Sequence, residues 1–326
     1  MARKVTLADV AATAGVSKMT ASRALRGAAD VSKSSLGKVQ KAADQLGYVA
    51  NPLAASLSTQ RTQLVGVVVP SLTNTVFAEM VTGIAETIEG SGLQPVFGVT
   101  NYNADTEVDV LRNMLSWRPA GLIVTGVDHP DTAHALLSQT TEPLVQVMDV
   151  DGDAIDNCVG ISHRQAGADM ANALYAAGRR KIGYICCTQS YDIRARKRRE
   201  GFEEALHLHG CDIAAMKRTN APSSVPAGRE LTRQLLTEAP DLDAIYYSND
   251  DLAAGGQFHC LAEGIPIPDR LQLAGFNGLD FVEALPVPMA TTRTPRREIG
   301  QLAAKMVLDR DAGRTTVLGS EVLFPR

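Results

Sequence analysis

The chain has 326 residues, 45% of them hydrophobic and 21% charged, the make-up of a soluble globular protein with room for two or three cored domains. It holds no run of eighteen apolar residues and no apolar leader, so neither a membrane span nor export is expected, and a cytoplasmic location is. The net charge of −4 hides an asymmetry: residues 1–62 carry nine Lys and Arg against three Asp and Glu, and the remainder carries 23 against 33. A basic head on an acidic body suits a nucleic-acid-binding module joined to a ligand-binding one.

The first predicted element is a helix starting at Leu7. Thr6 suits its N-cap, Asp9 stands at the capping-box position, and Leu7, Val10 and Ala11 fall on one apolar face. Gly15 tolerates the positive φ of a tight turn. Ser17 caps a second helix, Lys18 to Leu25. Val16, Ala21 and Leu25 can pack inward, which leaves Lys18, Met19, Ser22 and Arg23 outward or toward the helix start. This is a helix-turn-helix whose second helix is fitted to a DNA major groove; the plainer alternative is a solvated helical hairpin. Lys18 and Arg23 are candidates for guanine edges, Met19 for a thymine methyl, and Thr20 and Ser22 for phosphates. Thr6, Leu7 and Ser17, at the two helix starts, complete the DNA-contacting candidates of the head.

Ser32 caps a third predicted helix, with Leu36, Val39, Ala43 and Leu46 in one stripe and Gly47 at its end. Asn51-Pro52 opens a helix of about two turns, too short to be stable alone. The polar QRTQ at 60–63 marks a boundary. The expected division is therefore a head at 1–50, a short helix and linker at 51–62, and a body at 63–326. From Leu64 onward apolar runs at 64–69, 95–99, 121–125, 144–148, 182–187, 244–248 and 273–276 alternate with amphipathic stretches at 75–90, 105–117, 163–177, 193–209, 228–239, 250–263 and 295–310. Near-continuous apolar strands spaced by helices predict a doubly wound α/β body with parallel sheets.

Phosphate-loop, dinucleotide, zinc-protease and nucleophile-elbow motifs are all missing, so no catalytic residue and no cofactor is expected. No metal site is expected either, since His207 and His209 sit two apart, the wrong spacing to share a helical face. The five cysteines (158, 186, 187, 211 and 260) form no C-x-x-C pair and fit a reducing compartment. Ligands of α/β sheets bind beyond the carboxyl ends of strands. Leu72, Asn74 and Phe77 follow the first strand, Asp149 ends the run at 144–148, Asn249 follows 244–248, and Asn277 follows Phe276. Each of these also has a reading as a strand-end cap. Residues 194–199, RARKRR, hold five cations in six positions. Such a run is ordinarily a solvated face. Arg194 and Arg198, however, share one helical face, and arginine grips a carboxylate bidentately, which makes both effector candidates.

The stretches LADVAATAGVSKMTASRALRG, Val31-Ser32, LGYVANPLAASL, SLTNTVFAEM, SNDDLAAG, LAGFNGLD and MATTRTP together resemble the lac-repressor/gal-repressor (LacI/GalR) family over nearly the whole chain. SLTNTVFAE with Met114 to Trp117 is similar to its gluconate-operon repressor branch. The resemblance implies that Lys18, Met19 and Arg23 read bases. It also implies that residues 51–59 are a hinge helix, touching DNA through Asn51, Ala54 and Leu57, with Leu57 wedged between minor-groove base pairs. Ala55 stands where the family commonly has arginine, which removes one hinge contact. The body is implied to be periplasmic-binding-protein-like, with lobe one at 63–162 and 292–322, lobe two at 163–291, and three crossovers. Arg198 would hold an effector in the cleft, and Asn277 replaces an aspartate that takes sugar hydroxyls in many members. An arginine kept and a carboxylate lost point to a sugar acid, gluconate or a relative. The expected protein is a repressor that binds operator DNA as a homodimer, because no leucine heptads follow Phe324 to build a tetramer. Alternatives are the same repressor answering to a neutral sugar or sugar phosphate, a transport-type sugar-binding protein, and a sugar-acting enzyme. The basic head and the missing motifs oppose the last two.

Overall fold

A computed structural model of the chain describes residues 5–25, 28, 30–49, 62–187 and 192–325. They divide into two compact units, Met1–Gln63 and Leu64–Arg326.

The first unit holds helices α1 (Leu7–Ala14), α2 (Lys18–Leu25) and α3 (Lys33–Leu46). Thr6 and Asp9 form a reciprocal capping box, in which the Thr6 N–H donates to the Asp9 carboxylate at 2.8 Å. Gly15 takes φ 65° and returns its N–H to Ala11 and Ala12, so α1 stops where the turn must begin. The Ser17 hydroxyl accepts from Thr20 N at 3.0 Å and caps α2, and Ser32 does the same for α3 through Ser35 N. The core is small-residue packing of Val10, Ala11, Ala14, Ala21, Ala24, Val39, Ala42 and Ala43. Leu7, Val16, Leu25, Leu36, Leu46 and Tyr48 close around it. Alanines on α2 let three short helices approach closely, and that packing supplies stability their length does not. The hinge candidates Asn51, Ala54 and Leu57 lie outside the described residues.

The second unit is built on two parallel sheets. Strands β1 (Leu64–Val69), β2 (Gln94–Val99), β3 (Gly121–Thr125), β4 (Leu144–Asp149), β5 (Asn157–Ile161) and β11 (Thr315–Val317) form one sheet in the order β11-β5-β4-β3-β1-β2. Strands β6 (Ile182–Cys187), β7 (Ile213–Thr219), β8 (Ala244–Tyr247) and β9 (Gln272–Ala274) form the other, in the order β7-β6-β8-β9. Every pairing within the two sheets is parallel. Helices α4 (Thr75–Ile88), α5 (Ala104–Ser116), α6 (Asp131–Ser138) and α11 (Arg296–Asp309) pack with the first sheet. Helices α7 (His163–Ala176), α8 (Ile193–Leu208), α9 (Val225–Glu238) and α10 (Asp250–Ala262) belong with the second, and a 3-10 turn spans Asp280–Ala284.

An antiparallel ribbon of β10 (Thr291–Arg293) and β12 (Glu321–Leu323) is tied to the end of β9 by parallel bridges from Ala274 to Ala290 and from Asn277 to Arg293. Val322 and Phe324 pack against Tyr184, Phe202 and Tyr246 of the second lobe. The tail to residue 322, expected with lobe one, therefore leaves that lobe after β11, because its apolar side chains find their cover on lobe two. Cys158, Cys186 and Cys260 are buried, and all five cysteines are free thiols. Among the described residues no helix is long and apolar enough to cross a membrane.

Candidate functional sites

On the head, the buried stripe of α2 is Ala21 and Ala24, so Lys18, Met19 and Arg23 are left exposed. Met19 is 71% exposed beside Lys18 on the outward side of the helix. Arg23 forms an exposed ion pair with Asp30. A pair of this kind is weak, so a guanine edge can displace the aspartate at small cost. Thr20 and Ser17 share a hydroxyl contact at 2.8 Å, and Thr6 is exposed at the start of α1. Leu7, half-buried, packs on the head's core as its place on the apolar face predicts.

In the body, the candidate groups gather at the carboxyl ends of strands in both lobes. Helix α8 brings the two arginines. Asp192 caps it by accepting from Ala195 N, and a glycine pair sets its depth. A Cβ on Gly167 would lie 1.9 Å from the Arg198 carbonyl oxygen, and one on Gly201 would lie 2.1 Å from that of Arg164. Only glycine lets α7 and α8 approach this closely. That approach holds Arg198 against His163, the first residue of α7.

Arg198 is 5% exposed. It donates to Ser248 O at 2.7 Å and to His163 Nδ1 at 3.0 Å, and its guanidinium lies 3.6 Å from the Phe276 ring centroid. The His163 Nε2–H donates to Met148 O at 3.0 Å, the tautomer required if Nδ1 accepts from Arg198. Burial, and then Arg198 and Arg194 beside it, hold His163 well below its ordinary pKa, so it adds no charge to the site. Arg194 sits with its guanidinium 5.3 Å from the Phe77 ring centroid. Arg198 Nε and Arg194 Nη1 are buried donors with no hydrogen-bond partner among the described residues.

Both arginines line a cleft of about 550 Å³ together with Asn74, Phe77, His163, Asp192, Asn249 and Asn277. Asn74 caps α4 by accepting from Val76 N, and its amide reaches the Tyr102 hydroxyl at 3.4 Å. Asn249 caps α10, accepts from the Ser223 hydroxyl at 2.8 Å and lies after β8. Asn277 is 8% exposed at φ 120°, a strained conformation for a residue other than glycine. Its carbonyl accepts from Arg296, which itself pairs with Glu79 at 2.7 Å.

Two of the sequence candidates fall elsewhere. Leu72 is 58% exposed and lines neither this cleft nor its neighbour. It lies in the loop between β1 and the Asn74 cap, where its side chain turns to solvent. Asp149 lines the adjoining cavity of about 520 Å³, which shares Tyr102 and Arg194 with the first. Its carboxylate is fully buried, accepts from Asp151 N at 2.9 Å and from the Lys197 ammonium at 2.8 Å, and so is committed to protein partners. Burial raises its pKa against the downward pull of the Lys197 hydrogen bond. Lys197 is the residue that sequence reasoning missed. It stands inside a basic run, and only its i−3 and i+1 relation to Arg194 and Arg198 hinted at its turning inward.

The body, residues 62–323, matches the family model described as "Periplasmic binding proteins and sugar binding domain of LacI family". The head, residues 6–51, matches "Bacterial regulatory proteins, lacI family". The HTH-type transcriptional regulator GntR of Pseudomonas aeruginosa is 40% identical over 95% of this chain and 90% of its own length. The regulator of the same name from Escherichia coli K12 is 35% identical over 96% and 94%. Among solved structures, a LacI-family transcriptional regulator from Silicibacter pomeroyi superposes with a TM-score of 0.94 at 44% identity, covering 98% of each chain. A basic helix-turn-helix head, an effector-sized cleft between strand ends and these relatives agree: the chain belongs to the LacI family of DNA-binding bacterial transcriptional regulators.

Proposed function

We propose that this regulator is a cytoplasmic repressor that binds a pseudo-palindromic operator as a homodimer and is controlled by a sugar acid, gluconate or a relative. The observation that carries the effector class is the pair Arg194 and Arg198, both lining the cleft and both with a buried N–H that finds no partner among the described residues, alongside the neutral amide of Asn277. Buried donors of this kind call for an acceptor, and a carboxylate satisfies a guanidinium best. Asn74, Phe77, Asn249 and Asn277 would take hydroxyls and cover the carbon chain. The similarity to regulators named GntR agrees with the resemblance of residues 71–79 to the gluconate-operon repressors.

In the head, Lys18, Met19 and Arg23 read base edges, while Thr6, Ser17, Thr20 and Ser22 position the helix on phosphates. Asn51, Ala54 and Leu57 form the hinge contact. Effector binding favours one lobe arrangement and shifts the population away from the operator-competent dimer, which links the cleft to DNA through a coupling free energy.

A thermal-shift screen of sugar acids, neutral sugars and sugar phosphates tests the effector class. Ligands that bind only the folded state stabilise it by RT ln(1 + L/Kd) at free concentration L, and so raise the melting temperature as their concentration exceeds Kd. Gluconate-like acids should stabilise and also release operator DNA. Stabilisation by a neutral aldose alone would reject the reading.

A further inference from the structure

Lys197 lies on α8 between Arg194 and Arg198, yet it is 6% exposed and absent from the walls of both cavities. It reaches from lobe two into lobe one. There its ammonium donates to Asp149 at 2.8 Å, to the Asp151 carbonyl at 2.5 Å, and to the Asp128 carboxylate. Asp149 and Asp128 both face the cavity that adjoins the arginine-lined cleft through Arg194 and Tyr102. The Asp149 carboxylate is wholly buried and lines the cavity beside the cleft, so water screens little of its charge there. Among the described residues, the buried lysine is the cation that pairs with it. Burial draws the Lys197 ammonium toward its neutral form, and the two carboxylates outweigh that and hold it charged.

We propose that Lys197 determines the charge class of the effector: by neutralising Asp149 from behind the cleft wall, it lets the arginine-lined cleft accept an anionic polyol, and without it the cleft prefers a neutral one. This rests on the sugar-acid reading and adds to it a residue that touches no ligand. Asn277 removes one negative charge from the cleft by substitution, and Lys197 removes a second by pairing. A brace between lobes would act on every ligand alike, whereas a charge partner acts on anions alone.

The test is calorimetric titration with D-gluconate and D-glucitol, which share a six-carbon polyol skeleton and differ in the carboxylate. Wild type should prefer gluconate. Lys197→Met should weaken gluconate about tenfold, the scale of one uncompensated charge at cleft distances, and leave glucitol unchanged or tighter. The double variant Lys197→Met with Asp149→Asn should restore gluconate to within a few fold of wild type, because the buried uncompensated charge is gone and the remaining partner, Asp128, is 38% exposed and screened by water. Asp149→Asn alone, which keeps the lysine, should bind gluconate at least as tightly as wild type, and it carries the test if Lys197→Met does not fold. Equal losses on both ligands, no rescue in the double variant, or a loss of gluconate in Asp149→Asn would each reduce Lys197 to a structural brace. A wild type with no preference for gluconate would overturn the sugar-acid reading itself, and the role of Lys197 with it.

Discussion

Helices α2 and α8 are both basic and both begin at a capped N-terminus, yet they present their cations to different media. On α2, Lys18 and Arg23 stand in solvent, and Arg23 holds only the exposed Asp30. On α8 the run is sorted by facing. Arg196 and Arg199 stay partly in water beside Glu200 and Glu203, Lys197 is buried among carboxylates, and Arg194 and Arg198 turn donors into a cleft. A solvated cation suits a polyelectrolyte, whose affinity comes from many weak contacts and released counterions. A desolvated guanidinium with spare donors suits one small anion. Solvation, more than charge count, separates the DNA-binding element from the ligand-binding one.

Salt should separate the two most strongly. Operator affinity should fall about a thousandfold or more between 50 and 200 mM salt if the dimer meets six or more phosphates. Gluconate affinity should change little, since the Arg198 guanidinium proposed to hold it is buried. Fluorescence anisotropy on operator and calorimetry on gluconate across the same salt series would measure both slopes, and parallel slopes would erase the distinction.

Next in size is the packing that holds α8 in place. Gly201→Ala puts a methyl 2.1 Å from the Arg164 carbonyl, so α8 must shift away from α7. A cost of about 1–3 kcal/mol in denaturant unfolding is expected, with weaker gluconate binding and unchanged operator specificity. Arg23→Ala is the corresponding lesion on α2. It should cost on the order of 1–3 kcal/mol at the specific operator and little on random DNA, as competition titrations would reveal.

Much of this was legible in the sequence for physical reasons that can be named. The runs at 64–69, 121–125 and 182–187 are strands β1, β3 and β6 to the residue, because strands buried on both faces must be apolar throughout. Strand β5, NCVGI, was missed because its Asn157 looks polar. That amide is buried, donating to Leu144 O and Asp311 O, a pairing between distant residues that no local pattern reveals. Strand β7 was missed because it is an edge strand and mostly half-exposed. Helix α6 was missed because Pro130 stands at its N-cap and no side chain caps it, so it lacks the start signal that marked α1 and α2. In the cleft, Arg198 and Asn277 were readable from position, whereas Lys197 was not, since its partners Asp128 and Asp149 are supplied by the other lobe.

The smallest expected effect is on pH dependence. His163 is held well below its unfolded value of 6.5, first by burial and then by Arg198. The folded chain therefore binds fewer protons here than the unfolded one. The contribution is fully present above 6.5 and is lost as pH falls below it, by up to about 1.4 kcal/mol per pH unit. Asp250 acts in the opposite sense: burial raises its carboxyl to about 6, so its contribution is present at low pH and is lost as pH rises through that value. The difference between wild type and His163→Gln cancels Asp250. In urea unfolding from pH 7.5 to 5, wild type should lose stability relative to the variant, and a flat difference would mean that His163 titrates in the fold as it does in the unfolded chain.

The contrast between buried and solvated arginines meets its most direct test within α8 itself. Arg198→Ala and Arg196→Ala remove the same side chain from the same helix, one from the cleft and one from solvent. Titrated with gluconate, Arg198→Ala should bind about tenfold or more weakly, the worth of a charge-assisted hydrogen bond. Arg196→Ala should match wild type, and operator affinity without ligand should be the same in all three. Equal gluconate affinity in the two variants would contradict the account and return the whole run from Arg194 to Arg199 to a solvated face.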